Sequence, residues 1–399
     1  GKHISPGIID EHSHIAITRG VNEGSQNNTA EVRIGDVIES TDPGIYYQLA
    51  GGVTSAQLLH GSANPIGGQS AVIKLRWGKM PEEMKNLNAP GHIKFALGEN
   101  VKQSNWGDSK RSRFPQTRMG VEQVYYDAFL RAKEYQKNRE LWEKSSASQR
   151  AKLEPFRRDL ELDAIAEIMD GKRNITCHSY VQSEINMLIH VADSMKFHVN
   201  TFTHILEGYK VADKLKAHGA NASTFSDWWA YKFEVQEAIP YNAALLTQVG
   251  VNTGINSDDT EMGRRLNQEA AKAILYGGLS QEEALKLVTI NPAKMLKIDV
   301  STGSLKVGKD ADIVVWSDNP LSISARVEMT FVDGIRYYDF QRNDELQKQA
   351  DAERKRITAK LLKTSGKGKK LKQPSPKKRH EYHCEDEYNG ELMEEEVSK

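Results

Sequence analysis

Apolar, β-rich runs alternate with amphipathic helical stretches over most of the chain, and this alternation restricts its fold more than any other feature. The runs are PGIIDEH, GGVTSAQLLH, SAVIKLRW, HIKFALGE, NITCHSY, FHVNTFTHI, ANASTFSD and GVNTGINSD. Between many of them lie stretches such as GVEQVYYDAFLRAKEYQKNRELW, LELDAIAEIMDG, VQSEINMLIHVADSM and LEGYKVADKLKAHG, with apolar residues at three- and four-residue spacing. Strands that alternate with helices imply parallel pairing in βα units. Eight such strands, over a length near the ~250 residues usual for the class, predict an α/β fold of the TIM-type (β/α)8 barrel kind. An open, doubly wound sheet is the alternative that the same pattern allows.

After Asp258 the pattern changes. GRRLNQEAAKAILYGGLSQEEALKLVTINPAKMLKI reads as two or three helices, and GSLKVGKDADIVVWSDNPLSISARVEMTFVDGIRYYDF as short strands joined by Gly and Asn-Pro turns. The expected division is a barrel over 1–298, a small β unit over 299–342, and a charged tail over 343–399 that is disordered or helical. The tail joins a basic block, GKGKKLKQPSPKKRH, to the acidic CEDEYNGELMEEEVSK, the composition of a solvated segment. His380, His383 and Cys384 within it make only a weak metal motif, because no second ligand pair lies nearby.

Composition limits the partners. With 54 basic and 54 acidic side chains the formal charge is zero, so nucleic acid and anionic membrane are not the expected partners. No apolar run approaches the ~20 residues that span a bilayer. Two cysteines, Cys177 and Cys384, are too few for a disulfide framework; they fit a reducing compartment, the cytoplasm by default, without excluding export. The chain opens as GKHISPGIID, without Met and close to a strand, and is therefore read as a piece of a longer protein. Homo-oligomerisation stays open.

The chemistry begins at His12 and His14. On a strand, residues i and i+2 share a face, so both imidazoles can reach one ion. Asp10 has the same parity but lies deeper. His178 ends one apolar run, His204 another, and Asp258 a third, all at the carboxyl ends of strands, where a barrel gathers its catalytic groups.

These motifs resemble those of the amidohydrolase superfamily. PGIIDEHSH is similar to its signature at the first barrel strand, and the order His-x-His, His, His, Asp is its ligand order. GSLKVGKDADIVVWSDNP is similar to the segment with which such enzymes re-enter a small β-sandwich, so 299–342 is expected to be the C-terminal part of that domain, with the upstream half absent. Over residues 1–340 the chain most resembles the imidazolonepropionase-related branch. The resemblance implies a metal-dependent hydrolase that cleaves a C–N bond in an amide, cyclic amide or small peptide, through attack of metal-activated hydroxide on a small-molecule or small-peptide substrate. It implies one or two divalent ions, zinc being the expected one, held by His12, His14, His178, His204 and Asp258. Asp258 then moves the proton, and His204 helps to polarise the carbonyl.

Members of the superfamily often carry a carboxylated lysine or a glutamate on the fourth strand, between two metals. The candidates are Lys94 and Glu99. Glu99 is the expected bridge, because it lies at the strand's carboxyl end while Lys94 sits about 16 Å lower, at ~3.3 Å per residue. Lys74 is a weaker third.

Substrate contacts are expected from Arg118, as a bidentate carboxylate clamp, and from Tyr180, which shares parity with His178. An Arg near a helix start also commonly serves a structural ion pair. The loop HGSANPIGGQS puts glycines near the site, as turns or as places of close backbone approach. Trp228, Trp229 and Tyr231 are candidates for an aromatic wall, or for buried packing. Asp259 reads as a loop residue or a partner of the ligands; His60, His190, His198 and His218 read as packing or surface histidines. Two further readings are deamination on the same scaffold and a non-catalytic, metal-containing binding module.

Overall fold

The computed structural model describes residues 1–18, 20–102, 113–228 and 232–365. Among the described residues the strands form two sheets. One has eight strands in sequential order: β2 (Ile8–Ser13), β3 (Val53–Leu58), β4 (Ile66–Lys74), β5 (Gly91–Ala96), β6 (Arg173–His178), β7 (Thr201–Thr203), β8 (Asn221–Thr224) and β9 (Thr253–Ile255). The other orders β1 (His3–Pro6), β10 (Ile313–Trp316), β11 (Val327–Val332) and β12 (Ile335–Asp339), all antiparallel. The fold is thus the expected (β/α)8-type barrel with a small β domain.

The eight predicted runs all become barrel strands, but one runs against expectation. β4 is antiparallel to both β3 and β5. The reason is the connection: β3 ends at Leu58 and β4 starts at Ile66 with no helix between them. A parallel return needs a crossover of a dozen residues or more, so the short link sends β4 back the other way. A second difference lies at the amino end. Residues 3–6 pair with β10 and belong to the small sheet, so the barrel begins after Pro6 rather than at residue 1.

The segment that follows β9 bonds to β2 in two places. The backbone N–H of Asp258 donates to the carbonyl of His12 at 3.1 Å. Asp10 accepts from the Ser257 amide at 3.1 Å and from the Ser257 hydroxyl at 2.5 Å.

Helices cover the barrel's outer face by burying one apolar side each. Arg118–Lys144 turns Val121, Val124, Tyr125, Ala128 and Phe129 inward, at the three- and four-residue spacing of a helix stripe. There the Phe129 and Phe197 rings stack with centroids 3.9 Å apart, and the Tyr125 ring stacks on Phe95 of β5. The small sheet is fixed to the barrel by a buried ion cluster. Lys74, at the end of β4, meets Asp310 at 2.6 Å, Asp312 at 3.1 Å and the carboxylate of Asp333. Lys74 is therefore an interdomain tie, not a metal-site group.

From Phe340 to Ser365 the chain is one helix. His380, His383 and Cys384 lie outside the described residues. No helix among the described residues is long and apolar enough to cross a membrane.

Candidate metal centre

The site is built at the carboxyl ends of β2, β6, β7 and β9. Asp258 Oδ1 lies 3.3 Å from His12 Nε2 and 3.1 Å from His14 Nε2, and its Oδ2 lies 3.4 Å from His204 Nε2. Two of these side chains leave their strands through left-handed backbone, His204 at φ 57° and Asp258 at φ 48°. That conformation is uncommon for residues other than glycine. His178 completes the group, its ring centroid 5.2 Å from that of His204.

Bonds to the outer nitrogens fix how two rings face the centre. His14 Nδ1 lies 3.0 Å from the Leu59 carbonyl, which can only accept, so Nδ1 carries the proton and Nε2 turns its lone pair toward Asp258. His12 Nδ1 lies 3.1 Å from the Thr203 hydroxyl, which itself donates to Glu11 at 2.9 Å; Nδ1 of His12 is then the donor as well. Burial, with the Lys94 charge adding to it, pulls the His12 imidazole well below its ordinary pKa. Burial likewise lowers His178, and takes His204 down to about 3. For Asp258 burial opposes ionisation, and it is positive charge on the His12, His204 and His14 rings around it that would hold its carboxyl well below the usual range.

Imidazole lone pairs and a carboxylate aimed at one point repel each other unless a positive charge sits among them. No hydrogen bond satisfies either ring nitrogen of His178 or of His204, all four of them buried. Ring nitrogens left so are costly unless a ligand takes them up. Atoms of His12, His204 and Asp258 also lie within 4.8 Å of one another. Neutral imidazoles with one carboxylate are a donor set suited to zinc and to several other divalent ions. The residues present fit a metal.

The fourth-strand group differs from expectation. Lys94, fully buried on β5, places Nζ 3.1 Å from His12 Nε2. Glu99 lies elsewhere. β5 stops at Ala96 and Gly98 turns the chain at φ 88°, so Glu99 leaves the line of the strand and its amide donates to Glu234 at 3.0 Å. The error lay in measuring along the backbone only, because a lysine side chain climbs the barrel interior from a lower position.

Arg118 is also relocated. Its guanidinium lies 3.0 Å from Glu184 and 3.0 Å from Glu234, both buried, so it serves a structural ion network and not a carboxylate clamp. Tyr180 does reach the centre. It packs edge-on to His178 at 4.5 Å between centroids, and Lys232 Nζ sits 4.4 Å over its ring. Phe225 stacks on His204 at 4.6 Å between centroids and Trp228 packs at a tilt on Phe225 at 4.8 Å, an aromatic wall in part. Trp229 and Tyr231 lie outside the described residues. Of the glycines of HGSANPIGGQS, Gly67 and Gly68 pack on His60, a Cβ at Gly67 standing 2.7 Å from its Nδ1, while Gly61 packs on Asn22. Asp259 caps the short helix Thr260–Gly263, accepting from the Met262 amide at 2.6 Å.

Three groups at the site went unread in the sequence. Phe225 and Lys232 carry no pattern that marks them. Glu11 stands between Asp10 and His12, where strict alternation turns it away from the centre. A register shift in β2 between Asp10 and Ser13 breaks that alternation, and Glu11 is fully buried beside Thr203 and Ser223.

Comparison with known proteins agrees with this geometry. The family model described as "Amidohydrolase family" matches residues 161–336, which include His178, His204 and Asp258. A solved crystal structure of an amidohydrolase from Thermotoga maritima MSB8 is 32% identical, covering 85% of this chain and 88% of that one with a TM-score of 0.75. The chain belongs to the amidohydrolase family.

Two curated relatives extend the likeness. Amidohydrolase tasK of Hapsidospora irregularis is 30% identical over 363 residues, 85% of this chain. An imidazolonepropionase of Picrophilus torridus is 33% identical over 106 residues, 25% of this chain. This amidohydrolase chain spans only 37% of the first relative's length and 27% of the second's.

Proposed function

We propose that this chain is the catalytic barrel of a metal-dependent hydrolase that cleaves a C–N bond in an amide, a cyclic amide or a small peptide. The observation that carries the reading is the convergence of Asp258 on three imidazole nitrogens at 3.1–3.4 Å, with two of those rings tethered from behind. His12, His14, His178, His204 and Asp258 would hold the ion, zinc being the choice that the donor set favours. When bound, such an ion supplies Lewis acidity and brings the ionisation of water down from far above neutrality to about 7.

The chain's own residues supply the rest. Asp258, held ionised, accepts the proton of the attacking water and delivers it to the departing nitrogen. His204, fixed between Phe225 and Asp258, presents a ring nitrogen to the reacting carbonyl. Tyr180 and Phe225 wall the centre with aromatic surface and exclude bulk water, which strengthens the electrostatic contacts inside. Lys94 takes the fourth-strand role in place of Glu99. No carboxylate among the described residues forms an ion pair with its Nζ, an unusual situation for a buried lysine. Addition of CO2 to the neutral amine, with loss of one proton, would convert it to a carbamate and give a bridging anion for a second ion.

The test is a hydrolysis panel of dipeptides, N-acyl amino acids and lactams, run on the metal-loaded protein. Turnover that disappears on chelation and returns with metal supports the proposal. Full metal loading with no turnover on any class in the panel points instead to a binding module.

A further inference from the structure

The helix Phe340–Ser365 is joined to the body of the protein at its start. The Arg326 guanidinium sits 3.9 Å over the Phe340 ring, and the Tyr46 hydroxyl donates to Asn343 at 3.2 Å. From residue 344 to residue 363 every position is exposed. At 1.5 Å per residue this projecting part is about 30 Å long. Its ion pairs tie one turn to the next, as between Asp344 and Lys348 at 2.6 Å and between Glu353 and Arg356 at 2.6 Å. Exposed pairs add little, and a helix without a packing partner is marginal in water.

The projecting part carries an apolar stripe. Leu346, Ala350, Ile357 and Leu361 fall within about 60° of one another around the axis at 3.6 residues per turn. Leu346, Ile357 and Leu361 are 48%, 45% and 49% exposed. Their spacing of four, seven and four residues reads the same in both directions, with its midpoint between Glu353 and Arg354. Charge changes sign at that midpoint. Residues 340–353 hold four acidic side chains and two basic ones, whereas residues 354–363 hold five basic side chains and no acidic one. The helix dipole favours acids in the first turn and bases in the last. It does not account for a change of sign at mid-helix, nor for the stripe.

Both features fit one partner, a second copy of the same helix running the opposite way. We propose that Phe340–Ser365 pairs antiparallel with its counterpart and makes a two-fold dimer of this chain. A two-fold axis at the midpoint sets Leu346 against Leu361 of the partner subunit and Ala350 against Ile357 of the partner subunit. It also lays the acidic half of each helix along the basic half of the other. A parallel pair would instead set the two basic halves side by side, which repels. The pairing uses none of the metal-centre residues and is independent of that reading.

Light scattering of the whole chain over a dilution series measures the assembly. A mass of twice the 44.8 kDa of one copy is expected for wild type, and the mass of one copy for the double variant Ile357→Asp, Leu361→Asp. Both substituted positions are exposed, so near-ultraviolet circular dichroism should show the barrel unchanged. Direction is read by disulfide trapping in a Cys384→Ser background, with Ala350→Cys and Ile357→Cys as separate chains. Oxidation is expected to join the two when mixed and to join neither to itself. Like positions in an antiparallel pair stand seven residues apart along the axis, about 10 Å, which is too far for a disulfide. A wild type with the mass of one copy overturns the inference, whatever then covers the stripe. A doubled mass that survives in the folded Asp variant also overturns it, because another surface then makes the dimer. Trapping of each Cys variant with itself, and not with the other, would show a parallel pair and overturn the proposed arrangement.

Discussion

Asp258, just beyond the last barrel strand, meets His12 of the first barrel strand in two places. The Asp258 amide donates to the His12 carbonyl at 3.1 Å, and the Asp258 carboxylate faces the His12 ring at 3.3 Å. This backbone bond between β2 and the segment after β9 therefore also sets the spacing of two candidate ligands. Ser257, the residue before Asp258, is held by Asp10.

Asp258→Asn keeps the shape and removes the charge. With the proton acceptor lost, turnover of a hydrolysed panel substrate is expected to drop by about 10²–10⁴-fold, the usual range for general acid–base groups. Steady-state kinetics at saturating metal check this. A variant with wild-type kcat would remove Asp258 from the proton path.

Lys94 and Glu99 make opposite forecasts. After incubation with carbon-13 bicarbonate, a carbamate resonance is expected in the carbon-13 spectrum of wild type and absent in Lys94→Ala. Metal content should fall in Lys94→Ala and stay unchanged in Glu99→Gln. The reverse pattern of metal content would restore Glu99 to the site.

Lys74 should matter to stability. It is 2% exposed, and its loss leaves Asp312, 1% exposed, without its cation. Breaking a buried pair on one side costs about 3–5 kcal/mol. Urea denaturation of Lys74→Ala is expected to show a loss of that order, whereas less than about 1 kcal/mol would mean that water replaces the lysine.

His60 predicts acid sensitivity. Its Nδ1 lies 2.9 Å from the Gly61 carbonyl and its Nε2 accepts from the Glu23 amide at 2.7 Å, so only the neutral ring fits. Burial brings its pKa to about 4. The unfolded chain takes up that proton near pH 6.5, so the contribution is complete above about 6.5 and is lost as the pH falls toward 4. At about 1.4 kcal/mol per unit the loss is roughly 3 kcal/mol. His60→Gln should lose less stability than wild type between pH 7 and pH 4; equal losses would show that His60 does not titrate in this manner.

How far the sequence reveals the protein differs from element to element. All eight barrel strands were legible, because apolar β-rich runs bounded by turns report local burial directly. The direction of β4 was not read, since run composition says nothing about polarity and the missing helix before Ile66 was the only cue. His12, His14, His178, His204 and Asp258 were legible as strand-end residues with metal-binding side chains. Lys94 ranks below Glu99 along the strand because its reach depends on a side chain, and Glu11 is hidden because a register shift in β2 defeats alternation. β1 escaped because four residues carry too little pattern to mark a strand.

The central claim is that these side chains form a metal centre, and calorimetric titration of metal-free protein with zinc tests it most directly. At least one equivalent should bind to wild type, and binding should be lost in His12→Ala and His204→Ala while their circular dichroism stays that of the folded barrel. No binding to wild type, or equal binding by the folded variants, would contradict the account.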